Sequence, residues 1–174
     1  MKTLRRLGVA LFLVATASVV SGADEPFVSI FAGYADNDEA TGADSSVLFG
    51  VRSGIENPTA GGQLALTINR DGDVKMDTLM GELLFQFGST DVRTRRNRII
   101  YNRFSGFAIL GIGAMFYDSG PMDSTSTIFA WDFGLGMQVK FTRKIGLRVQ
   151  LQSLYTGPND FHSYTGDVAL AVYF

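Results

Sequence analysis

The stretch "TIFAWDFGLGMQVKF", residues 127–141, places a bulky apolar side chain at every second position from Phe129: Trp131, Phe133, Leu135, Met137, Val139 and Phe141 follow. The intervening set is small or polar: Ile128, Ala130, Asp132, Gly134, Gly136, Gln138 and Lys140. A period of two over this length is a β-strand with one greasy face. The fold turns on whether that face looks inward, as in a soluble barrel, or outward.

Three arguments turn it outward. The weaker face carries Gly134 and Gly136 here, Gly111 and Gly113 in another segment and Ala169 and Ala171 in a third. Such residues suit a narrow closed lumen better than a strand surface in water. The alternating runs are about ten residues long, the ~9–11 that a tilted strand needs to cross a bilayer. Aromatics also gather at both strand ends, with Tyr34, Phe116, Trp131 and Tyr155 at one and Phe87, Phe104, Phe141 and Phe174 at the other. Two aromatic belts are what two membrane interfaces select. In hydrocarbon every backbone N–H and C=O must be paired, so the sheet has to close without edges.

The remaining sequence fits an exported envelope protein. Residues 1–22 have a basic start (Lys2, Arg5, Arg6), an apolar run from Leu7 to Val20 and small residues before a cleavage expected near Gly22/Ala23. They read as a secretory signal peptide, leaving residues 23–174 as one domain. Loss of that leader and its three basic residues leaves twelve Lys and Arg against 17 Asp and Glu, a formal charge of −5. An acidic exported chain is a poor nucleic-acid binder, so no nucleic-acid partner is expected. Cysteine is absent, which removes both disulfides and a thiol nucleophile. Charged residues make up only 18%, against the ~25% usual in soluble domains, and the apolar excess is spread along the chain.

Cutting at clusters of Gly, Pro, Asn, Asp and Ser gives eight strands, at residues 27–35, 46–56, 60–70, 77–88, 103–117, 127–141, 144–155 and 164–174. No later segment has a helical period. The connectors sort onto two ends: "DNDEATGADS", "DGDVKM", "DSGPMDSTS" and "TGPNDFHS" on one, the short "NPT" and "TR" on the other. Residues 89–102, "STDVRTRRNRIIYN", form a long basic connector on the short-turn end. The fold class is all-β: an eight-stranded antiparallel up-and-down transmembrane β-barrel.

On "AGY" (Ala32, Gly33, Tyr34), "FAILGIGAMF", "FGLGMQVKFTRKIGLRVQLQ" and the terminal "DVALAVYF", the mature chain resembles the small eight-stranded outer-membrane β-barrels of Gram-negative bacteria, the OmpA/OmpX-like group. The resemblance implies the bacterial outer membrane as location and contact with its lipids and lipopolysaccharide. It also implies that Val168, Leu170, Val172 and Phe174 form a signal read by the barrel-assembly machinery. A monomer with a structural or surface-interaction role follows, its surface ligand unspecified. Narrow-pore or small-ligand transport is the alternative, and a lipid-modifying enzyme a more distant one.

With the greasy face outward, Arg52, Glu56, Glu82, Arg103, Asp132, Lys140, Arg148 and Asp167 fall inside. Charges in a narrow lumen are costly unless paired, so they are expected to interdigitate. Arg52, Glu82, Asp132, Arg148 and Asp167 are the core of that network, with Arg148 the first candidate partner for Asp132. The network serves either as a polar plug or as a gate whose ion pairs rearrange. No catalytic residue, cofactor or metal is assigned. His162, the only histidine, reads as a loop residue, and its neighbours Ser163, Asp160 and Asp167 are not placed in sequence to form a nucleophile–base pair with it. The acidic loop with Asp36, Asp38, Glu39 and Asp44 and the pair Asp71 and Asp73 lack EF-hand spacing and read as solvated. Arg93, Arg95, Arg96 and Arg98 read as a solvated inner turn.

Overall fold

The computed structural model describes residues 25–37, 45–57, 59–71, 74–90, 103–118, 126–157 and 161–174, with backbone alone at 71, 89, 90 and 103. The leader, most of the outer connectors and the basic connector lie outside these residues. Eight strands follow one another: β1 (Glu25–Asn37), β2 (Ser45–Glu56), β3 (Ala60–Asp71), β4 (Val74–Thr90), β5 (Arg103–Asp118), β6 (Ser126–Lys140), β7 (Ile145–Thr156) and β8 (His162–Tyr173). Each pairs antiparallel with its chain neighbours, and β1 pairs with β8 to close the barrel. Among the described residues no helix is long and apolar enough to cross a membrane, which says nothing of strands.

Stagger follows from the register. Paired residues traced once around, from Ser105 through Gln138, Arg148, Ala169, Phe31, Gly50, Thr67 and Thr78, return to β5 at Met115, ten residues from the start. Eight strands with a stagger of ten imply a tilt of about 40° and a backbone radius of about 8 Å. A cylinder that narrow has no room for an open channel once side chains point inward. Trp131 and Phe141, ten residues apart along β6 and just beyond it, stand about 25 Å apart along the axis, the height of an outer-membrane apolar band.

Local sequence explains the ends. Asn57 turns β2 into β3 because its Oδ1 accepts the N–H groups of Thr59 (3.0 Å) and Ala60 (2.9 Å). Thr142 turns β6 into β7 through its Oγ1, which accepts the N–H groups of Lys144 (3.1 Å) and Ile145 (3.0 Å). Near the end of β4 the register with β5 shifts between Phe87 and Thr90, and Gly88 there has φ 66°, left-handed backbone that suits glycine. The segment "VKM" joins β4 instead of the preceding connector: Val74, Lys75 and Met76 pair with Asp71, Arg70 and Asn69. The hairpin is therefore tighter than its acidic composition suggests.

The faces separate as the period of two requires. Trp131, Phe133, Leu135, Met137 and Phe141 are exposed, whereas Asp132 is 3% exposed and Lys140 4%. Val168, Leu170, Val172 and Phe174 are likewise outward, alternating with buried Ala169, Ala171 and Tyr173. Tyr34, Phe87 and Phe104 are exposed; Phe116 and Tyr155 are partly covered by neighbours. Leu151, 66% exposed, sits midway along β7 on this face. Leu151→Arg is expected to destabilise the barrel in lipid vesicles by about 2–4 kcal/mol, measured by reversible urea unfolding. A barrel whose outer face is meant for water would tolerate it.

Candidate functional site

The lumen is the candidate site, and it is built in two polar tiers. In the inner tier the carboxylate of Glu56 accepts from Lys140 Nζ at 2.9 Å and from Gln138 Nε2 at 3.1 Å. Lys140 also pairs with Glu25, and the Tyr173 hydroxyl donates to Gln138 Oε1 at 3.2 Å. Arg148, fully buried, has Nη1 3.9 Å from Glu56 Oε2, and its guanidinium lies 4.4 Å and 4.7 Å from the ring centres of Phe27 and Phe107. None of its three guanidinium nitrogens has a hydrogen-bond partner among the described residues.

The next tier lies toward the outer mouth. Arg52 grips Asp167 with two hydrogen bonds, 2.8 Å to Oδ1 and 2.6 Å to Oδ2, and stacks 3.7 Å from the Phe31 ring centre. Its Nη2 also reaches Gln152 Oε1 at 3.4 Å. Gln152 in turn donates from Nε2 to Glu82 Oε1 at 3.1 Å and lies 3.5 Å from Asp132 Oδ2, while Gln63 donates to Glu82 Oε2. Between the tiers, both amide atoms of the fully buried Gln150 are without hydrogen-bond partners among the described residues.

Glycines set how these side chains pack. A Cβ at Gly50 would stand 2.2 Å from the Phe31 ring, and one at Gly136 2.3 Å from the Phe107 ring. At Gly111 it would meet Asp132 Oδ1 at 2.3 Å and Glu82 Cγ at 2.8 Å. The small residues of the inner face thus leave space for specific large neighbours. Above the polar tiers one part of the mouth is apolar, where Met76, Met80, Met115 and Ala130 cluster with Phe161 from the β7–β8 connector, and another is polar, where Asn37 is hydrogen-bonded to Ser46 and Ser163. A cavity of about 50 Å³, room for a few waters, lies in this outer half against Arg52, Glu82, Asp132, Gln152 and Asp167.

Of the residues expected inside, Arg52, Glu56, Glu82, Asp132, Lys140, Arg148 and Asp167 are all buried there. The side chain of Arg103 lies outside the described residues. The expected meeting of Asp132 with Arg148 does not occur. Asp132 pairs across to Leu154 whereas Arg148 pairs with Gln138, six residues lower on the same strand. Asp132 faces Glu82 instead, and Arg148 faces Glu56. The lumenal aromatics Phe27, Phe31, Phe107 and Tyr173 and the glutamines Gln63, Gln150 and Gln152 were missed. Their signal was phase, since Phe27 and Phe31 alternate with Val28 and Ile30 and share the face of Ser29 and Gly33.

His162 is not a loop residue but the first residue of β8, and it points outward. Its ring stacks on Tyr155 (4.3 Å between centres) and meets Tyr164 edge-on (4.1 Å), continuing a row through Trp131. Ser163 points the other way and donates to Asn37 Oδ1 at 2.8 Å, and Asp167 is held by Arg52. Histidine and serine are on opposite faces of one strand and cannot act as base and nucleophile for each other. Asp160 and the acidic connector residues Asp38, Glu39, Asp44 and Asp73 lie outside the described residues, as do the basic ones from Arg93 to Arg98.

Arg52 and Asp167 form a buried pair held by two hydrogen bonds, with side chains 2% exposed each. Arg52→Met alone leaves Asp167 buried without its cation and is expected to cost about 3–5 kcal/mol. Adding Asp167→Leu should recover most of that loss. Urea unfolding of the three variants in vesicles measures both steps.

No protein-family model and no curated protein matches the chain. Solved structures do. Neisserial surface protein A is similar over 88% of this chain and 98% of its own, with a TM-score of 0.61 and 13% identity. The N-terminal β-barrel domain of Pseudomonas aeruginosa OprF covers 85% of this chain and 97% of its own (TM-score 0.58, 15% identity). Ail, the attachment invasion locus protein of Yersinia pestis, covers 88% and 100% (TM-score 0.51, 15% identity). The chain has the fold of the eight-stranded outer-membrane β-barrels.

Proposed function

We propose that the protein is an integral barrel of the Gram-negative outer membrane with a structural or surface-interaction role. The observation that carries this reading is the pairing of an apolar exterior, belted by aromatics at both ends, with a lumen filled by packed side chains. Arg148 held between Phe27 and Phe107 closes the inner half. A barrel that is closed inside and greasy outside has its connectors left for contact with other molecules, among them the outer ones at residues 38–44 and 119–125. Its exterior would be wetted by outer-membrane lipids and lipopolysaccharide, and the outward row Val168, Leu170, Val172 and Phe174 would be its assembly signal. A monomer is the state this reading expects, since the closed sheet offers no edge strand to a second copy.

A narrow-pore reading has one observation in its favour. Among the described residues, polar atoms of Arg148, Gln150, Ser29, Ser105 and Arg52 Nε are buried in the lumen without hydrogen-bond partners. Such groups call for water, and a water thread is the start of a conductance path. The aromatic contacts of Arg148 and the ion pair of Arg52 would have to break for ions to follow it.

Two measurements separate these readings. The protein is expected in the outer-membrane fraction, released by detergent and not by high salt; recovery as a soluble periplasmic protein would overturn the proposal. In planar lipid bilayers the purified barrel is expected to leave the baseline unaltered. Discrete conductance steps that vanish in Arg148→Ala or change size with it would favour the pore.

A further inference from the structure

The second polar tier is out of charge balance. Arg52 is committed to Asp167 by two short hydrogen bonds, and Lys140 and Arg148 belong to the inner tier with Glu56. Glu82 and Asp132 are left facing each other. The register explains why: Glu82 pairs with Gly111 and Gly111 with Asp132, so the two carboxylates flank a residue with no side chain and lean together over it. Both are at least 96% buried. Their shared neighbour is the neutral Gln152 amide, at 3.1 Å from Glu82 and 3.5 Å from Asp132.

Two carboxylates side by side in a narrow lumen carry a large desolvation cost that the neutral amides of Gln152 and Gln63 do not offset. Three further observations show what would offset it. Among the described residues Asp132 Oδ1 is buried without a hydrogen-bond partner, and so is the carbonyl oxygen of Gln63, whose amide already binds Glu82. The outer cavity touches both Glu82 and Asp132 and has room for a few waters. The donors are all oxygens, and since among the described residues no group of three acidic, histidine or cysteine side chains gathers that could hold a metal ion, an ion held by this pair would keep water among its ligands.

We propose that Glu82 and Asp132 bind one partly hydrated divalent cation of the calcium and magnesium class, entering from the outer mouth. The pair's formal charge matches a divalent ion, and oxygen donors with retained water suit a hard one. The site is distinct from the acidic outer connectors and does not depend on what they contact.

The test uses the full mature barrel, refolded in a neutral detergent, stripped with chelator and held at pH 7.5. Mn²⁺ serves as the probe, its binding read from the loss of the free-ion electron paramagnetic resonance signal, followed by displacement with Ca²⁺. One lumenal site per barrel is expected, at least 10-fold weaker in Asp132→Asn and in Glu82→Gln, and retained when Asp38, Glu39, Asp44 and Asp73 are all neutralised. Both lumenal variants remove a buried repulsion, so they should stay folded, which the heat-dependent gel mobility of the barrel checks. No Mn²⁺ binding by the wild type would overturn the proposal, with protons then neutralising the pair. So would binding that survives both lumenal variants, or that is lost only with the connector acids.

Discussion

Closure of the backbone ladder between β1 and β8 is the constraint from which the other features follow. In water an open edge is merely a liability, but in hydrocarbon each unpaired N–H or C=O costs several kcal/mol. The pairing of Phe27 with Tyr173 through Asn37 with Ser163 removes both edges at once and brings the two ends of the described chain together on the inner side. Closing eight strands at a stagger of ten then fixes the radius at about 8 Å. That radius decides which residues the inner face can hold. A wider barrel would have enclosed a channel of water; this one has to be filled.

The filling follows one rule repeated three times. Each described lumenal cation lies over an aromatic ring: Arg52 on Phe31, Lys140 on Tyr173 and Arg148 on Phe27 and Phe107. A ring face offers a buried cation electrostatic attraction without adding another charge that must be desolvated. The rings need space, and Gly50 and Gly136 give it to Phe31 and Phe107. Arg52 adds a two-pronged carboxylate contact and leaves only its Nε without a hydrogen-bond partner among the described residues. Arg148 has the rings and a distant carboxylate, and its unpartnered nitrogens make it the least satisfied cation of the lumen.

Much of this was readable from the chain. Alternation in residues 127–141 gave the direction of Trp131 and Asp132, and the same pattern elsewhere gave the eight strands and the inward set of charges. What alternation does not contain is height. A period of two assigns a side chain to a face; which residues meet inside depends on register and stagger, and these arise from turn geometry and closure around the whole sheet. Asp132 and Arg148 share a face on adjacent strands and are still three inward positions apart. The lumenal aromatics were hidden for a related reason. Bulk marks the lipid face over residues 127–141, yet Phe27, Phe31 and Phe107 lie in the inward phase shared with serine and glycine. His162 reads as a loop residue because a connector with Gly, Pro, Asn and Asp precedes it, while the pairing that sets its ring against Tyr155 of β7 is not displayed by the local sequence.

The most direct test of the account is the direction of Trp131, the only tryptophan of the chain. Its fluorescence, recorded for the barrel reconstituted with lipids brominated at successive acyl positions, reports contact with hydrocarbon and depth together. The account predicts quenching that is strongest for bromines near the headgroup and weakens toward the bilayer centre, as for a ring in the outer belt. Emission indifferent to brominated lipid at every depth would put Trp131 inside the barrel and contradict the outward assignment of the greasy face.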